Sequence, residues 1–347
     1  MTGTWGGRPV ARRQPVPVLA RDWVQPDVSA GTLPLTVRPM ADVDLATWAS
    51  ANVPAVDAWL TEHGAVLFSG FGTGLDSLPA VVAALAGPPA PYQERSSPRT
   101  EVAPGVYSST DYPADQRIPL HNENSYQHRF PSRLVFCCLT APDSGGATPL
   151  ADCRRVLARL DPAVVDAFRA GGVRYVRNYA AGLGLSWQEA FQETDRGRVE
   201  AYCAENDMTA AWQPGGGLRT EAIRPAVGVH PASGAETWFN HAAFFHVTSV
   251  APPVAAAMRE QLGEAGLPSN TYYGDGAPIG AEALSAIRAA YAAETALVSW
   301  RQGDVLLIDN LLVAHGREPF GGSRRVVVSL AGSLSHRALP GPRQAVA

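Results

Sequence analysis

Two histidines and one glutamate have the types and spacing needed to bind a single metal ion. His121-Asn-Glu123 sets an imidazole and a carboxylate two residues apart, and His315 follows in a distant Asp-Asn-Leu-Leu-Val-Ala-His-Gly-Arg segment. Because side chains of a strand alternate between its faces, a strand over 120–128 would project His121 and Glu123 together. Two imidazoles and a carboxylate that leave metal positions open are the ligand set of non-haem Fe(II) oxygenases. A chance arrangement is the alternative, since the chain has eight histidines.

The composition is typical of a globular protein with a substantial core. The 347 residues are 46% hydrophobic and 17% charged, which suits one large domain or two of ordinary size. The net charge is −4, all 28 basic residues are arginine, and no arginine-rich run occurs. These charges argue against nucleic acid as a partner.

The compartment is predicted from the cysteines and from the apolar runs. The four cysteines form no Cys-x-x-Cys pair, which indicates buried free thiols in a reducing compartment. Arg12-Arg13 is followed by a segment that proline and arginine interrupt, so it does not have the apolar stretch of an export signal. No apolar run has the length of a membrane span. We expect a cytoplasmic protein that does not bind a membrane.

The elements that would position these residues are mainly strands. Runs rich in β-branched residues occur at both ends of the chain, and helices are predicted between them at about 152–160, 162–170 and 187–205. Ser186 and Glu189 have the spacing of a capping box at the start of the third helix. This order favours one β-barrel or sandwich over βαβ units. We expect a flexible arm over 1–36, a single domain over 37–336 with a helical insertion at about 152–220, and a disordered tail over 337–347.

Several segments, taken in order, resemble a known family. They are Ala-Val-Leu-Phe-Ser-Gly-Phe at 65–71, Arg-Ser-Ser-Pro-Arg at 95–99, Ile-Pro-Leu-His-Asn-Glu-Asn-Ser-Tyr at 118–126, Gly-Gly-Ala-Thr-Pro at 145–149, Trp-Phe-Asn at 238–240, Tyr-Gly-Asp-Gly at 273–276, Gly-Asp-Val-Leu-Leu-Ile-Asp-Asn at 303–310, His-Gly-Arg-Glu-Pro-Phe at 315–320 and Gly-Ser-Arg-Arg at 322–325. This pattern resembles the TauD/TfdA superfamily of Fe(II)/2-oxoglutarate dioxygenases, and within it the SyrP-like amino-acid hydroxylases of natural-product biosynthesis. The resemblance implies a double-stranded β-helix (jelly-roll) core, with Fe(II), 2-oxoglutarate and O2 as cofactor and cosubstrates.

The resemblance also assigns roles to individual residues. His121, Glu123 and His315 take the positions of the iron ligands. Arg325 matches the arginine that binds the distal carboxylate of 2-oxoglutarate, and Thr148 matches the hydroxyl that assists it. Arg324 remains an alternative to Arg325, because neighbouring residues of a strand face opposite ways. We favour Arg325 because an apolar strand follows it directly.

Other polar residues have less definite roles. We expect His241 and His246 to be core or loop residues, and Arg317 to support the site by packing or pairing. Polar residues that border the predicted pocket are candidates for binding a substrate, although each could equally be structural: Arg95, Arg99, Asn124, Arg129 and Asn240. The segments 90–117 and 170–220 are candidate lids.

The predicted activity is hydroxylation of an unactivated carbon in an amino acid or a derivative of one, either free or tethered to a carrier protein. The related halogenases leave the carboxylate position empty for chloride, so Glu123 argues against halogenation. Two alternatives stay open: desaturation or oxidative cyclisation of a similar substrate, and a non-enzymatic metal-binding β-sandwich.

Overall fold

The computed structural model describes residues 23–27, 33–90, 93–109, 112–180 and 184–339. Its α-helices are α1 (Leu45–Ala51), α2 (Val53–His63), α3 (Leu78–Ala86), α4 (Cys153–Arg159), α5 (Pro162–Gly171), α6 (Trp187–Phe191), α7 (Arg196–Glu205), α8 (Pro252–Leu262) and α9 (Ala281–Ala293). The strands of the first half are β1 (Val24–Asp27), β2 (Leu35–Pro39), β3 (Ala65–Phe68), β4 (Glu101–Ala103), β5 (Val106–Ser108), β6 (Ile118–His121), β7 (Arg129–Phe130), β8 (Arg133–Thr140), β9 (Ser144–Gly145), β10 (Thr148–Asp152) and β11 (Val173–Tyr179). Those of the second half are β12 (Met208–Trp212), β13 (Leu218–Arg224), β14 (Val227–Val229), β15 (Glu236–Trp238), β16 (Ser269–Tyr273), β17 (Thr295–Val298), β18 (Val305–Asp309), β19 (Val313–Arg317), β20 (Phe320–Gly321), β21 (Arg325–Ala331) and β22 (Leu334–Ser335).

The main sheet contains eight strands in the order β1–β2–β3–β18–β8–β21–β5–β4. Its strands pair antiparallel except β2 and β3, which are parallel. The central strands β8, β18 and β21 carry apolar runs, interrupted in β21 by the buried Ser329, as expected for strands that are covered on both faces.

The first three helices cover one face of the main sheet. Trp48 of α1 stacks on Trp59 of α2 at a ring-centroid distance of 6.0 Å and meets Phe68 of β3 edge-on at 6.3 Å. α1 starts where the Asp44 carboxylate accepts a hydrogen bond from the Thr47 N–H, and α2 ends at Gly64 with φ of +74°. The three helices and this face of the main sheet together enclose one hydrophobic cluster.

The second face of the main sheet packs against a four-stranded sheet in the order β17–β10–β19–β6. Phe136 and Val328 from the main sheet share a buried cluster with Leu150, Trp300 and Val313, which lie on or beside the smaller sheet. The fold is therefore mainly β, with two facing sheets, as the strand pattern predicted. His121 and His315 lie on paired strands of the smaller sheet.

The predicted helical insertion is a mixed α/β module. It contains α4, α5, α6 and α7, and its strands β11, β12 and β13 join β16 in a separate four-stranded sheet. The alternation of buried and partly exposed residues along β13 is a strand pattern that the sequence analysis assigned to helix or loop. The capping box of Ser186 and Glu189 is present, but α6 ends at Gln192, which adopts a left-handed conformation. The predicted helix over 187–205 is therefore two helices.

The predicted arm and tail fall mostly outside the described residues. Within the arm, however, β1 pairs with β2, and β2 pairs with β3 of the main sheet. Val24 and Leu35 are buried there, so this part of 1–36 is integrated into the core. At the other end, the described chain stops at residue 339. Across the described ranges, none of the helices combines the length and the apolar character needed to span a membrane.

Candidate metal centre

His121, Glu123 and His315 meet at one end of the space between the two sheets. His121 ends β6 and lies opposite His315 of β19 in the antiparallel register. The Glu123 Oε2 atom is 4.0 Å from His121 Nε2 and 3.8 Å from His315 Nε2. One potential ligand atom from each residue lies within 4.8 Å of the other two. The predicted three-residue group is therefore assembled in space.

Burial favours the neutral form of both imidazoles, and a hydrogen bond also orients His121. Burial lowers the pKa of His121 and lowers the pKa of His315 well below its ordinary value. His121 Nδ1 lies 2.9 Å from the Pro119 carbonyl oxygen, so the N–H is placed on Nδ1 and donates to that oxygen. Its Nε2 lone pair then faces Glu123. Two neutral imidazoles and a carboxylate fit Fe(II).

A turn, and not a strand, brings Glu123 to the histidines. The expected strand over 120–128 ends at His121, and the chain turns through Asn124, whose φ is +55°. Asn310 fixes the turn: its Oδ1 accepts the Glu123 N–H at 2.7 Å, and its Nδ2 donates to the Glu123 carbonyl at 2.9 Å. Asn122 Nδ2 donates in return to the Asn310 carbonyl at 2.7 Å. We call these three hydrogen bonds the Asn310 clamp.

The structure also brings Thr148 to this site. Thr148 begins β10, is buried, and lines a small cavity together with His121 and His315. Its Oγ1 accepts a hydrogen bond of 3.0 Å from Trp300 Nε1. Because Trp300 occupies a lone pair, the Thr148 O–H is free to donate to a ligand.

Arg324, and not the favoured Arg325, lines the same cavity. Arg325 is exposed at the start of β21 and contributes only to a wider surface pocket of about 390 Å³. Val326 and Val328 face the smaller sheet and Val327 faces the helices. Arg324 precedes β21 and the register shift between Arg325 and Val326, and its side chain lines the cavity.

The Arg324 guanidinium is a half-buried cation without a carboxylate partner among the described residues. Its Nε donates to the Gly146 carbonyl at 3.1 Å, and the ring of Phe320 lies 5.7 Å from the guanidinium carbon. Burial lowers the pKa of Arg324 to about 10, and the positive charge of Arg317 adds to this effect. A cation held in this way is suited to a carboxylate-bearing ligand.

Two further arginines support the site. Arg317 is buried and donates to the carbonyls of Tyr112 at 3.0 Å and Gln116 at 2.9 Å, which ties the 112–116 loop to β19. Arg99 donates from Nη2 to both oxygens of Glu123, at 3.0 and 2.8 Å. Arg99 was expected only as a candidate substrate contact, and its ion pair with Glu123, a candidate metal ligand, was not expected.

The other polar candidates are held by structural contacts. Asn240 donates to the Ala226 carbonyl and accepts the Ala242 N–H, which satisfies its amide within a turn. The backbone of Arg95 binds Ala190, and Arg129 is exposed in β7. Asn124 is buried and provides the turn after Glu123. None of these four belongs to the metal-binding group.

An aromatic wall lies beside His121. The Phe244 ring is 4.7 Å from the His121 ring, and the His241 ring is 5.8 Å away. Burial lowers the pKa of His241 well below its ordinary value, and its Nδ1 contacts the Ser125 hydroxyl. His241 is thus a neutral, satisfied core residue, as expected. His246 lies in a different cleft, where its ring bonds Thr248.

A cleft of about 720 Å³ adjoins the smaller sheet and shares Phe244 with this aromatic wall. It is lined by Leu120, Pro149 and Leu297, which alternate along their strands with inward-facing residues. None of the three metal-binding residues lines it. Despite its size, this cleft is therefore not the candidate metal site.

Comparison with known proteins identifies the family. A model of the taurine catabolism dioxygenase TauD, TfdA family matches residues 30–330. The dapdiamide synthesis protein DdaC of Enterobacter agglomerans is 43% identical over 276 residues, covering 79% of this chain and 84% of that protein. A clavaminate synthase-like protein of Arabidopsis thaliana is 32% identical over 287 residues, covering 79% and 83%.

A solved structure shares the fold at lower identity. PvcB from Pseudomonas aeruginosa superposes with a TM-score of 0.53 at 17% identity, covering 92% of this chain and 95% of that one. A second structure of PvcB describes that protein as an Fe, alpha-ketoglutarate dependent oxygenase from an isonitrile synthetic pathway. The match to the family model and the identity to DdaC show that the chain belongs to the TauD, TfdA dioxygenase family, and it is a non-haem iron enzyme that uses 2-oxoglutarate and O2.

Proposed function

We propose that this enzyme hydroxylates an unactivated C–H bond of an amino acid or an amino-acid-derived intermediate in natural-product biosynthesis. One observation carries the proposal: His121 and His315 of the His121–Glu123–His315 group line one cavity with Arg324, which has no carboxylate partner among the described residues. The first feature suits iron, and the second suits the distal carboxylate of 2-oxoglutarate. DdaC acts in dapdiamide synthesis and PvcB in an isonitrile pathway, by their descriptions, which supports a biosynthetic role.

We assign the iron ligands to His121, Glu123 and His315. The imidazoles would bind through Nε2, since the Pro119 carbonyl holds His121 Nδ1–H on the other side of the ring. When bound with 2-oxoglutarate and O2, the metal supplies the oxidising chemistry. The chain fixes the ligand geometry through the Asn310 clamp and surrounds the ligands with buried side chains.

The distal carboxylate of 2-oxoglutarate is assigned to Arg324 and Thr148. Arg324 would donate charge-assisted hydrogen bonds, and the Thr148 hydroxyl, oriented by Trp300, would add one more. The two facing sheets are consistent with a double-stranded β-helix (jelly-roll) around this site. Arg325 lies outside the cavity and takes no part in this assignment.

The prime substrate would lie against the aromatic wall beside His121. Phe244 and His241 offer apolar, uncharged surfaces there, which suit an aliphatic carbon and exclude water. The carboxylate ligand Glu123 leaves no place for a metal-bound halide, so the proposal is hydroxylation. The substrate would be a small molecule, either free or tethered to a carrier protein.

Product mass tests this proposal. Purified enzyme with Fe(II), 2-oxoglutarate and O2 is incubated with amino acids and their acyl and amide derivatives. The masses of the products are then measured by mass spectrometry. Hydroxylation adds one oxygen and forms one succinate for each product. A product lighter by two hydrogens would replace hydroxylation by desaturation or ring closure. Iron-dependent succinate formation that no amino-acid derivative stimulates would contradict the substrate class.

A further inference from the structure

The two carboxylate oxygens of Glu123 share Arg99 as a neighbour, and one of them also lies near the two histidines. Oε2 is the oxygen near the two histidines, at 4.0 and 3.8 Å from their Nε2 atoms. Arg99 Nη2 donates to Oε2 at 2.8 Å and to Oε1 at 3.0 Å. Among the residues that the structure describes, Arg99 is the one side chain that donates a hydrogen bond to this carboxylate.

The ion pair of Arg99 with Glu123 is shielded from solvent. Each side chain is 6% exposed, so the carboxylate and the guanidinium interact at low dielectric. Asn310 already fixes the Glu123 backbone from both sides. The remaining freedom of Glu123 is rotation of its side chain, and Arg99 is placed to restrict it.

Arg99 itself is held at a defined position by the segment 93–100. On one side of Arg99, the Arg95 N–H donates to the Ala190 carbonyl at 2.8 Å. On the other side, the Thr100 N–H donates to the Ser108 hydroxyl at 3.0 Å, and the Ser108 N–H donates to the Thr100 carbonyl at 2.8 Å. The segment is therefore anchored both to the inserted module and to β5, which lets Arg99 act as a fixed donor.

We propose that Arg99 is a positioning residue. Its Nη2 bonds both oxygens of Glu123 in the structure, and its bond to Oε1 would keep the carboxylate oriented while Oε2 binds the metal. The carboxylate would then bind through one oxygen, which leaves the other metal positions for 2-oxoglutarate and O2. Groups that hydrogen-bond to metal ligands in this way orient them and tune the affinity of the site. This inference rests on the proposed metal centre.

Metal affinity measured without turnover tests the role of Arg99. Apo-protein is titrated with Mn²⁺ under calorimetric and electron paramagnetic resonance detection, for wild type, Arg99→Met and Arg99→Gln. Methionine keeps the apolar stem and removes the donor, while glutamine keeps a donor without the charge. Arg99→Met should bind Mn²⁺ about 10- to 100-fold more weakly. Arg99→Gln should recover a large part of this loss, and circular dichroism should show that each variant is folded.

The possible outcomes separate this inference from the proposed function. Wild type that binds no Mn²⁺ would overturn the metal centre itself. Wild type that binds, with Arg99→Met binding equally or more tightly, would overturn the positioning role alone. Tighter binding would mean that Arg99 acts only as a like charge that repels the metal. If Arg99→Met does not fold, Arg99→Gln and Arg99→Lys test the positioning role instead. Both variants keep a hydrogen-bond donor, so both should bind Mn²⁺ within about tenfold of wild type. Weaker binding by both would contradict the role.

Discussion

Asn310 and Glu123 are joined by two hydrogen bonds, although 187 residues separate them in the sequence. The Asn310 side chain accepts from the Glu123 N–H and donates to the Glu123 carbonyl, and it donates also to the Pro131 carbonyl at 2.8 Å. Asn310 follows β18 and shortly precedes β19, the strand that carries His315. One buried amide thus links the segments that bear two of the three metal-binding residues.

Replacing Asn310 by alanine should weaken both the fold and the metal site. The change removes three hydrogen bonds and leaves the buried Glu123 N–H without its partner, so we expect the free energy of unfolding to fall by about 2–4 kcal/mol. Urea unfolding of the apo-protein measures this loss. Metal affinity should fall as well, since the turn that holds Glu123 is no longer fixed.

Asn240→Ala is the matched control for that experiment. Asn240 is also buried, and its amide also satisfies two backbone groups, but it does so in a turn that contains no metal ligand. It should lower stability without changing the affinity of the folded protein for metal. Equal loss of metal affinity in both variants would mean that the Asn310 effect is only a general loss of stability.

The neighbouring arginines at the start of β21 should differ in their effect on 2-oxoglutarate binding. Arg324→Ala removes the inward cation, and we expect the Kd for 2-oxoglutarate to rise by a factor of about 30, which corresponds to about 2 kcal/mol of charge-assisted hydrogen bonding. Arg325→Ala alters an exposed side chain and should leave the Kd within about twofold of wild type. Calorimetry on the metal-loaded protein measures both. A larger increase in Kd for Arg325→Ala than for Arg324→Ala would mean that Arg325 binds the distal carboxylate of 2-oxoglutarate.

Glu94 should make the stability of the protein depend on pH. Burial raises the pKa of Glu94 to about 7, from 4.5 in the unfolded chain. The folded state therefore binds more protons than the unfolded state between these values, so the contribution of Glu94 is fully favourable below pH 4.5. It is lost as the pH rises through about 7.

Glu94→Gln should remove this part of the pH dependence. Relative to the variant, wild type should lose up to about 3 kcal/mol of unfolding free energy between pH 4.5 and 8. Urea unfolding of the two proteins across this range isolates the effect, because all other titrating groups are shared. Parallel stability curves for the two proteins would show that the carboxyl group is ionised in the fold throughout.

The proposed metal-binding residues could be selected from the sequence because their side-chain chemistry is specific. An imidazole and a carboxylate two residues apart, with a second imidazole in a strand-like segment, already indicate one site, and the structure assembles it. The predicted strand geometry of His121 and Glu123 did not hold. Local alternation cannot show that β6 ends at His121, since the turn that follows is held by Asn310 from a distant part of the chain.

The supporting residues could not be assigned from the sequence for the same physical reason. Arg99 meets Glu123 only because the segment 93–100 is anchored at both ends by tertiary hydrogen bonds. The choice between Arg324 and Arg325 depends on which face of β21 is turned inward, and a register shift between Arg325 and Val326 sits at that point. Such features depend on pairing between strands and not on local pattern.

The central claim is that His121, Glu123 and His315 bind iron together with 2-oxoglutarate. It is tested most directly by anaerobic titration of the apo-protein with Fe(II) and 2-oxoglutarate, with detection of the visible charge-transfer band of the chelate. We predict a saturable band in wild type and no band in His315→Ala. The band should be unchanged in His246→Ala, which replaces a buried histidine in another cleft. A folded wild-type protein without the band, or a band that persists in His315→Ala, would contradict the account.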